Sequence, residues 1–180
     1  MTQAKGAYGF RLDGITGPLL DRVPKSWPEI EIRQRHEPRA PGEDKLTKNY
    51  AEFRLLDGGS VVVRRDPPRG TFHVSGALNP DELAHPYLVP VAAVHAAWRG
   101  FETLHAGGFV ADGKAWAILA SRRGGKSSLL AALSGAGCAI VSDDLVVTDQ
   151  ERVFSGPRSI DLREDAVDHF QTTRSLGVAG

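Results

Sequence analysis

Residues 117–133, AILASRRGGKSSLLAAL, decide how this chain reads. An apolar run ends at Ala120, two arginines and two glycines follow, and Lys126-Ser127 open a leucine- and alanine-rich segment with high helix propensity. A phosphate-binding loop needs small residues, so that successive backbone N–H groups can face an anion. It also needs a lysine for the terminal phosphates, a hydroxyl for Mg²⁺ and a helix N-terminus aimed at the charge. Gly124, Gly125, Lys126, Ser127 and Ser128 meet these needs. Ala120 stands where the full pattern has its first glycine. Arg122 and Arg123 fill positions where small residues are usual, and they either reach a phosphate or point to solvent.

Working outward, residues 103–120, TLHAGGFVADGKAWAILA, form two alternating segments joined by Asp112-Gly113, a strong signal for a two-residue hairpin. This hairpin begins beside His105 and delivers a strand into the loop. Downstream, the helix KSSLLAALSGAG closes at Gly135 or Gly137 and gives way to CAIVSDDLVVTD, residues 138–149. Strand, loop, helix and strand make a βαβ unit. Residues 115–120 and 138–142 are therefore predicted to be adjacent parallel strands, joined by a right-handed crossover whose helix starts near Lys126.

Asp143 and Asp144 fall at the end of the second strand, and open α/β sheets bind their ligands at the carboxyl ends of strands. Of two adjacent carboxylates, one can hold Mg²⁺ while the other accepts a proton from a hydroxyl nucleophile. An isolated Asp-Asp would otherwise read as a solvated turn or a helix cap. Taken alone, His105 reads as structural. His36, His73, His85, His95 and His169 lack any metal-ligand spacing and are not expected to hold a metal.

The preceding residues divide at 78/79. Within 1–78, the short alternating runs AYGFRL, EIEIRQ, AEFRLL and SVVVRR are separated by Gly/Pro/Asp clusters and predict an antiparallel meander. Residues 53–65 form a hairpin turning at Asp57-Gly58-Gly59. From residue 79 onward the chain carries the loop-bearing core. Its first helix starts at Asn79-Pro80-Asp81, stops at Gly100 and should be interrupted or kinked at Pro86 and Pro90.

Lysine plus arginine equals aspartate plus glutamate at 22 each, so no overall basic field points to nucleic acid or an anionic membrane. With 41% hydrophobic and 24% charged residues the composition is globular. Cys138 is the only cysteine, which excludes an internal disulfide and suits a reducing cytoplasm; it reads as a small buried apolar residue in a strand. No signal peptide or membrane-spanning run is legible.

The segment 104–147, with its histidine-led hairpin, GGKSS loop, helix and strand-end Asp-Asp, is similar to the catalytic core of the HPr kinase/phosphorylase family. It looks still more like the family's shorter relatives found with ribosomal peptide maturation, such as lasso peptide kinases. VFSGPRSIDLREDAVDHF, residues 153–170, resembles the segment that follows in those relatives, and the likeness covers roughly residues 80–170. It implies an α/β fold with a P-loop core akin to phosphoenolpyruvate carboxykinase, behind a strand-rich N-terminal region. It further implies that Lys126 contacts the phosphates of ATP and Ser127 binds Mg²⁺, while Asp143 and Asp144 share the metal and base roles beside His105. The implied activity is phosphorylation of a serine-type hydroxyl on a small protein or peptide, and the relatives' ring assemblies imply self-association. Family members continue with further strands and helices, whereas this chain ends 36 residues after Asp144, so a short C-terminal end is expected. Two other readings stand beside this one: a nucleotide- or phosphate-binding relative without catalysis, and a P-loop enzyme acting on a small metabolite.

Overall fold

Asp112 and Gly113 take φ values of +52° and +70°, the mirror-image turn that matches strand twist, and the hairpin forms as the sequence predicts. In a computed structural model that describes residues 4–37, 42–55 and 58–170, β10 (Gly107–Ala111) pairs antiparallel with β11 (Lys114–Ile118), Gly107 opposite Ile118 and Ala111 opposite Lys114. Helix α3 (Lys126–Gly135) follows the loop. Its end is closed by Gly137 at φ +90°, with Gly137 N–H donating to Ser134 O and Cys138 N–H to Leu133 O, both bonds of a Schellman cap. Cys138 is half-buried at this turn, just ahead of β12 (Ala139–Ser142) rather than within a strand.

The two strands of the crossover are parallel, but they are not neighbours. The small sheet has the order β11-β10-β12, with β10 antiparallel to both, which corrects the expectation of adjacency. The reason lies in β10 itself. A Cβ on Gly107 would sit 2.7 Å from Leu130 Cδ1 of α3, and one on Gly108 3.1 Å from Val146 Cγ2. Bare backbone at these positions lets the helix on one side and Val141 and Val146 on the other close over a central strand, so the crossover steps across β10. Edge strand β11 keeps both faces largely in solvent, with Trp116 exposed.

The first half of the chain builds an eight-stranded sheet from β1 (Lys5–Ala7), β2 (Phe10–Asp13), β3 (Asp21–Arg22), β4 (Glu29–Arg35), β5 (Lys45–Leu46), β6 (Tyr50–Arg54), β7 (Ser60–Arg64) and β8 (Arg69–His73), in the order β3-β1-β2-β4-β8-β7-β6-β5. The β6–β7 hairpin pairs Tyr50 with Arg64 through Arg54 with Ser60, as expected. Gly58 at φ +92° lies in its turn, and Asp57 lies outside the described residues. The sheet is not a simple meander, because β4 runs parallel to both β2 and β8. Long connections on either side of β4 permit parallel pairing, which a short turn cannot make.

A helical segment covers this sheet. Asn79 accepts from the N–H groups of Asp81 and Glu82 while Glu82 reaches back to Asn79 N–H, a complete capping box at the start of α1 (Pro80–Glu82). The helix then widens over Leu83–Tyr87 and breaks at His85 (φ −154°, ψ 125°), ahead of Pro86, before α2 (Leu88–Trp98). Pro90 lies within α2, which continues through it. Val91 of α2 packs on Gly70, where a Cβ would lie 2.9 Å from Val91 Cγ1.

A second small sheet, β14-β13-β9 from β9 (Glu102–Leu104), β13 (Val146–Thr148) and β14 (Val153–Phe154), adds Val147 and Phe154 to the same core as Phe10, Ile30 and Phe72, so one core crosses the 78/79 boundary. Helix α4 (Glu164–Phe170) ends the described chain. The fold is mixed α/β with a strand-rich sheet, and no helix among the described residues is long and apolar enough to cross a membrane.

Candidate functional site

The loop between β11 and α3 turns tightly. Gly124 N–H donates to Ser121 O at 2.9 Å, and Arg123 and Gly125 take φ values of +68° and +81°. A Cβ on Gly124 would sit 2.7 Å from Ala120 Cβ and 2.9 Å from Ser121 O, so the methyl group of Ala120 is accommodated because residue 124 has none. Gly125 is the N-cap, and no side chain among the described residues caps the helix. The first-turn N–H groups of α3 are left facing outward, as an anion requires. Arg122 and Arg123 are exposed, and Ser127 and Ser128 half-buried.

Lys126 is 9% exposed, unusual for a lysine, and its Nζ lies 3.4 Å from His105 Nε2. His105 Nδ1 lies 3.1 Å from the backbone oxygen of Asp144, which also accepts from Ala106 N–H at 3.2 Å. A carbonyl only accepts, so Nδ1 carries the proton and the Nε2 lone pair faces the ammonium of Lys126. Three stretches far apart in sequence thus meet at one end of α3: the hairpin entrance, the loop lysine and the strand-end aspartates. The exposed ring of His105 lies between the other two.

The two aspartates are not equivalent. Asp143 is 2% exposed, and both its carboxylate oxygens accept backbone N–H bonds, from Asp144 at 3.1 Å and from Asp161 at 2.9 Å. Asp144, at φ +64°, turns its side chain to the open side with about a third of it exposed. An aspartate tolerates that left-handed conformation better than most residues do. Beneath them Ser142 Oγ donates to Asp143 O at 2.8 Å. Tyr8 is fully buried alongside, and burial raises its phenol above the usual range; the Ser142 hydroxyl works against the rise, and the charges of Asp144 and Asp143 add to it.

Gly156 closes this region. A Cβ there would lie 2.4 Å from Ser142 Oγ and 2.8 Å from Tyr8 Cε1, while its N–H donates to Val141 O at 2.8 Å. Arg158 then anchors the segment to the large sheet, its N–H donating to Leu19 O at 2.8 Å and its Nε to Asp21 at 2.6 Å. The path brings Asp161 beside Asp144. Partial desolvation raises the Asp161 carboxyl above its ordinary range; His85 opposes the rise, Asp144 and Asp143 add to it, and Arg163 opposes it.

Sequence reasoning named His105, Lys126, Asp143 and Asp144, which meet, and the loop residues that surround them. His85, not expected from its spacing to hold a metal, and Asp161, unmarked in the sequence, also come together with Asp144. His85 is buried and its Nε2 approaches Asp144 Oδ2 at 3.9 Å. No spacing rule reaches these residues, since positions 85, 144 and 161 come together only through the tertiary path. Only the break at Pro86 and the GPR turn at 156–158 mark these segments in sequence. Comparisons with protein-family models, with curated proteins and with solved structures find no match.

Proposed function

We propose that the chain is an ATP-dependent kinase with a P-loop core, phosphorylating a serine-type hydroxyl on a small protein or peptide, as its resemblance to the HPr kinase/phosphorylase family implies. One observation carries the reading: the His105 ring spans Asp144 O at 3.1 Å and Lys126 Nζ at 3.4 Å, so loop and strand-end carboxylates share one locus. The uncapped first turn of α3 and the buried Lys126 suit the phosphates of ATP, and Ser127 in that turn suits Mg²⁺. When bound, Mg-ATP supplies the phosphoryl group. Lys126 and the first-turn N–H groups hold phosphate oxygens, and Asp144, the open carboxylate, accepts the proton of the acceptor hydroxyl. Asp143 acts differently from an even partner. Its two backbone acceptor bonds hold Asp144 and Asp161 in place, leaving its remaining lone pairs for metal-bound water. The cytoplasmic location read from composition and the self-association implied by the relatives belong to the same proposal.

The second reading, a nucleotide-binding relative without transfer, is favoured by Ala120 and by Arg123, whose left-handed backbone suits glycine better. Calorimetric titration with Mg-ATP and a radiolabelled transfer assay on peptides from the genetic neighbourhood separate the two. Lys126→Ala should weaken Mg-ATP binding well over tenfold with the fold intact. Asp144→Asn should bind nearly normally but lose about two to four orders of magnitude in transfer. Equal Mg-ATP affinity in wild type and Lys126→Ala removes both readings. Binding without transfer to any peptide leaves the second.

A further inference from the structure

We propose that His85, Asp144 and Asp161 form a binding site for a divalent transition-metal ion of the Mn²⁺ or Zn²⁺ type. One ligand atom from each residue lies within 4.8 Å of the others, and His85 Nε2 to Asp144 Oδ2 is already 3.9 Å. The second, independent observation is His85 itself. Its side chain is 7% exposed, its Nε2 has no hydrogen-bond partner among the described residues, and that nitrogen faces Asp144 Oδ2. A buried imidazole nitrogen left unpaired is costly, and a metal ion is the partner that imidazole and carboxylates have in common.

The geometry needs little change. Ligand atoms about 2.0–2.2 Å from an ion lie roughly 3–3.5 Å apart when adjacent, so small rotations of the half-buried Asp144 carboxylate and of the exposed Asp161 carboxylate close the set. Its backbone is already fixed, because Asp161 N–H donates to Asp143 Oδ2 at 2.9 Å. Asp143 is thus the outer residue that orients a ligand segment, as is usual around metal sites. Water would complete the coordination. One imidazole with two carboxylates suits Mn²⁺ and Zn²⁺ better than Mg²⁺, which prefers oxygen alone. The ion would clamp the helix break at His85, the end of β12 and the segment after Gly156.

Of its ligands the site shares only Asp144 with the proposed kinase centre, and it does not rest on nucleotide binding, so it is tested on the nucleotide-free full chain. Mn²⁺ is titrated and free ion read from its aqueous electron-paramagnetic-resonance signal, with Zn²⁺ then added as competitor. One equivalent should bind. His85→Gln and Asp161→Asn should each weaken binding at least tenfold, Lys126→Ala should leave it unchanged, and Zn²⁺ should displace Mn²⁺. If His85→Gln fails to fold, Asp161→Asn decides alone, since its side chain lies at the surface. Absence of stoichiometric binding to the wild type, or affinity unaltered in the folded variants, overturns the site. Failure of Mg-ATP binding would leave it standing.

Discussion

Gly124→Ala tests whether the loop holds its shape for the reason the contacts suggest. The added Cβ would lie 2.7 Å from Ala120 Cβ and 2.9 Å from Ser121 O, and neither is the tip of a flexible side chain that can swing away. Backbone must move, and overpacking of this kind costs about 1–3 kcal/mol. The loop is exposed, which places the expected loss at about 1 kcal/mol. Ala120→Gly alone removes one methyl group and adds backbone freedom to the unfolded chain, costing about 0.5–1 kcal/mol. In the double variant the Ala120 contact is gone and only the Ser121 oxygen remains close. The two changes should therefore couple favourably by roughly 0.5–1 kcal/mol, the size seen for residues in contact. Urea denaturation of the four proteins measures this, and Mg-ATP calorimetry on the same set should follow it, with Gly124→Ala the weakest binder and the double variant partly restored. Additive effects, or Gly124→Ala as stable as wild type, would refute the account of how alanine replaces the first loop glycine.

Other outcomes follow from single residues. His95, between Phe10 and Trp98 at ring distances of 6.1 and 5.3 Å, has its pKa pushed down to about 4 from the ordinary 6.5, first by burial; a backbone hydrogen bond to Arg69 opposes the fall, and the charge of Arg99 adds to it. The unfolded chain therefore takes up a proton that the folded chain resists, so this contribution is complete above pH 6.5 and is lost as pH falls towards 4, by up to about 3 kcal/mol. His95→Leu should flatten that part of the stability profile measured by chemical denaturation, and an unchanged slope would sink the assignment. Arg123→Gly relieves a left-handed arginine at φ +68° but loosens the unfolded chain, so net stability by thermal denaturation should change by less than about 1 kcal/mol. Replacing Arg122 and Arg123 together reads their role directly in Mg-ATP calorimetry: weaker binding means they contact phosphate, tighter binding means they obstruct it.

Features set by a few neighbouring residues were legible in the sequence. Asp112-Gly113 encodes its own turn, Asn79-Pro80-Asp81 the helix start, and the glycines at 135 and 137 the end of α3, which falls at Gly137, because each acts on backbone groups within four or five positions. Strand partners were not legible. The alternation in EIEIRQ establishes a strand with Ile30 and Ile32 buried on one face, but parallel pairing with β2 and β8 satisfies that pattern as well as antiparallel pairing would. In the same way, the pairing strength of the hairpin was visible while the central place of β10 was not. That place depends on what Gly107 and Gly108 leave room for, and those neighbours, Leu130, Val141 and Val146, arrive later in the chain.

The site divides along the same line. His105, Lys126, Asp143 and Asp144 lie at the ends of elements that one hairpin and one helix connect, so their convergence needs only correct local turns and a single crossover. The split between the aspartates needs more: Asp143 accepts from Asp144 N–H on one oxygen and from Asp161 N–H on the other, and the second donor comes from a segment positioned by Gly156 against Ser142 and by Arg158 against Asp21. That same segment sets Asp161 beside Asp144, and the break before Pro86 sets His85 opposite them. A carboxylate whose oxygens are both engaged by backbone is poorly suited to changing protonation state during a reaction, whereas Asp144 retains solvent access and faces His85 Nε2, which has no hydrogen-bond partner among the described residues. In the proposed kinase the proton transfer therefore falls to Asp144, and Asp143 serves by holding the backbone that presents it.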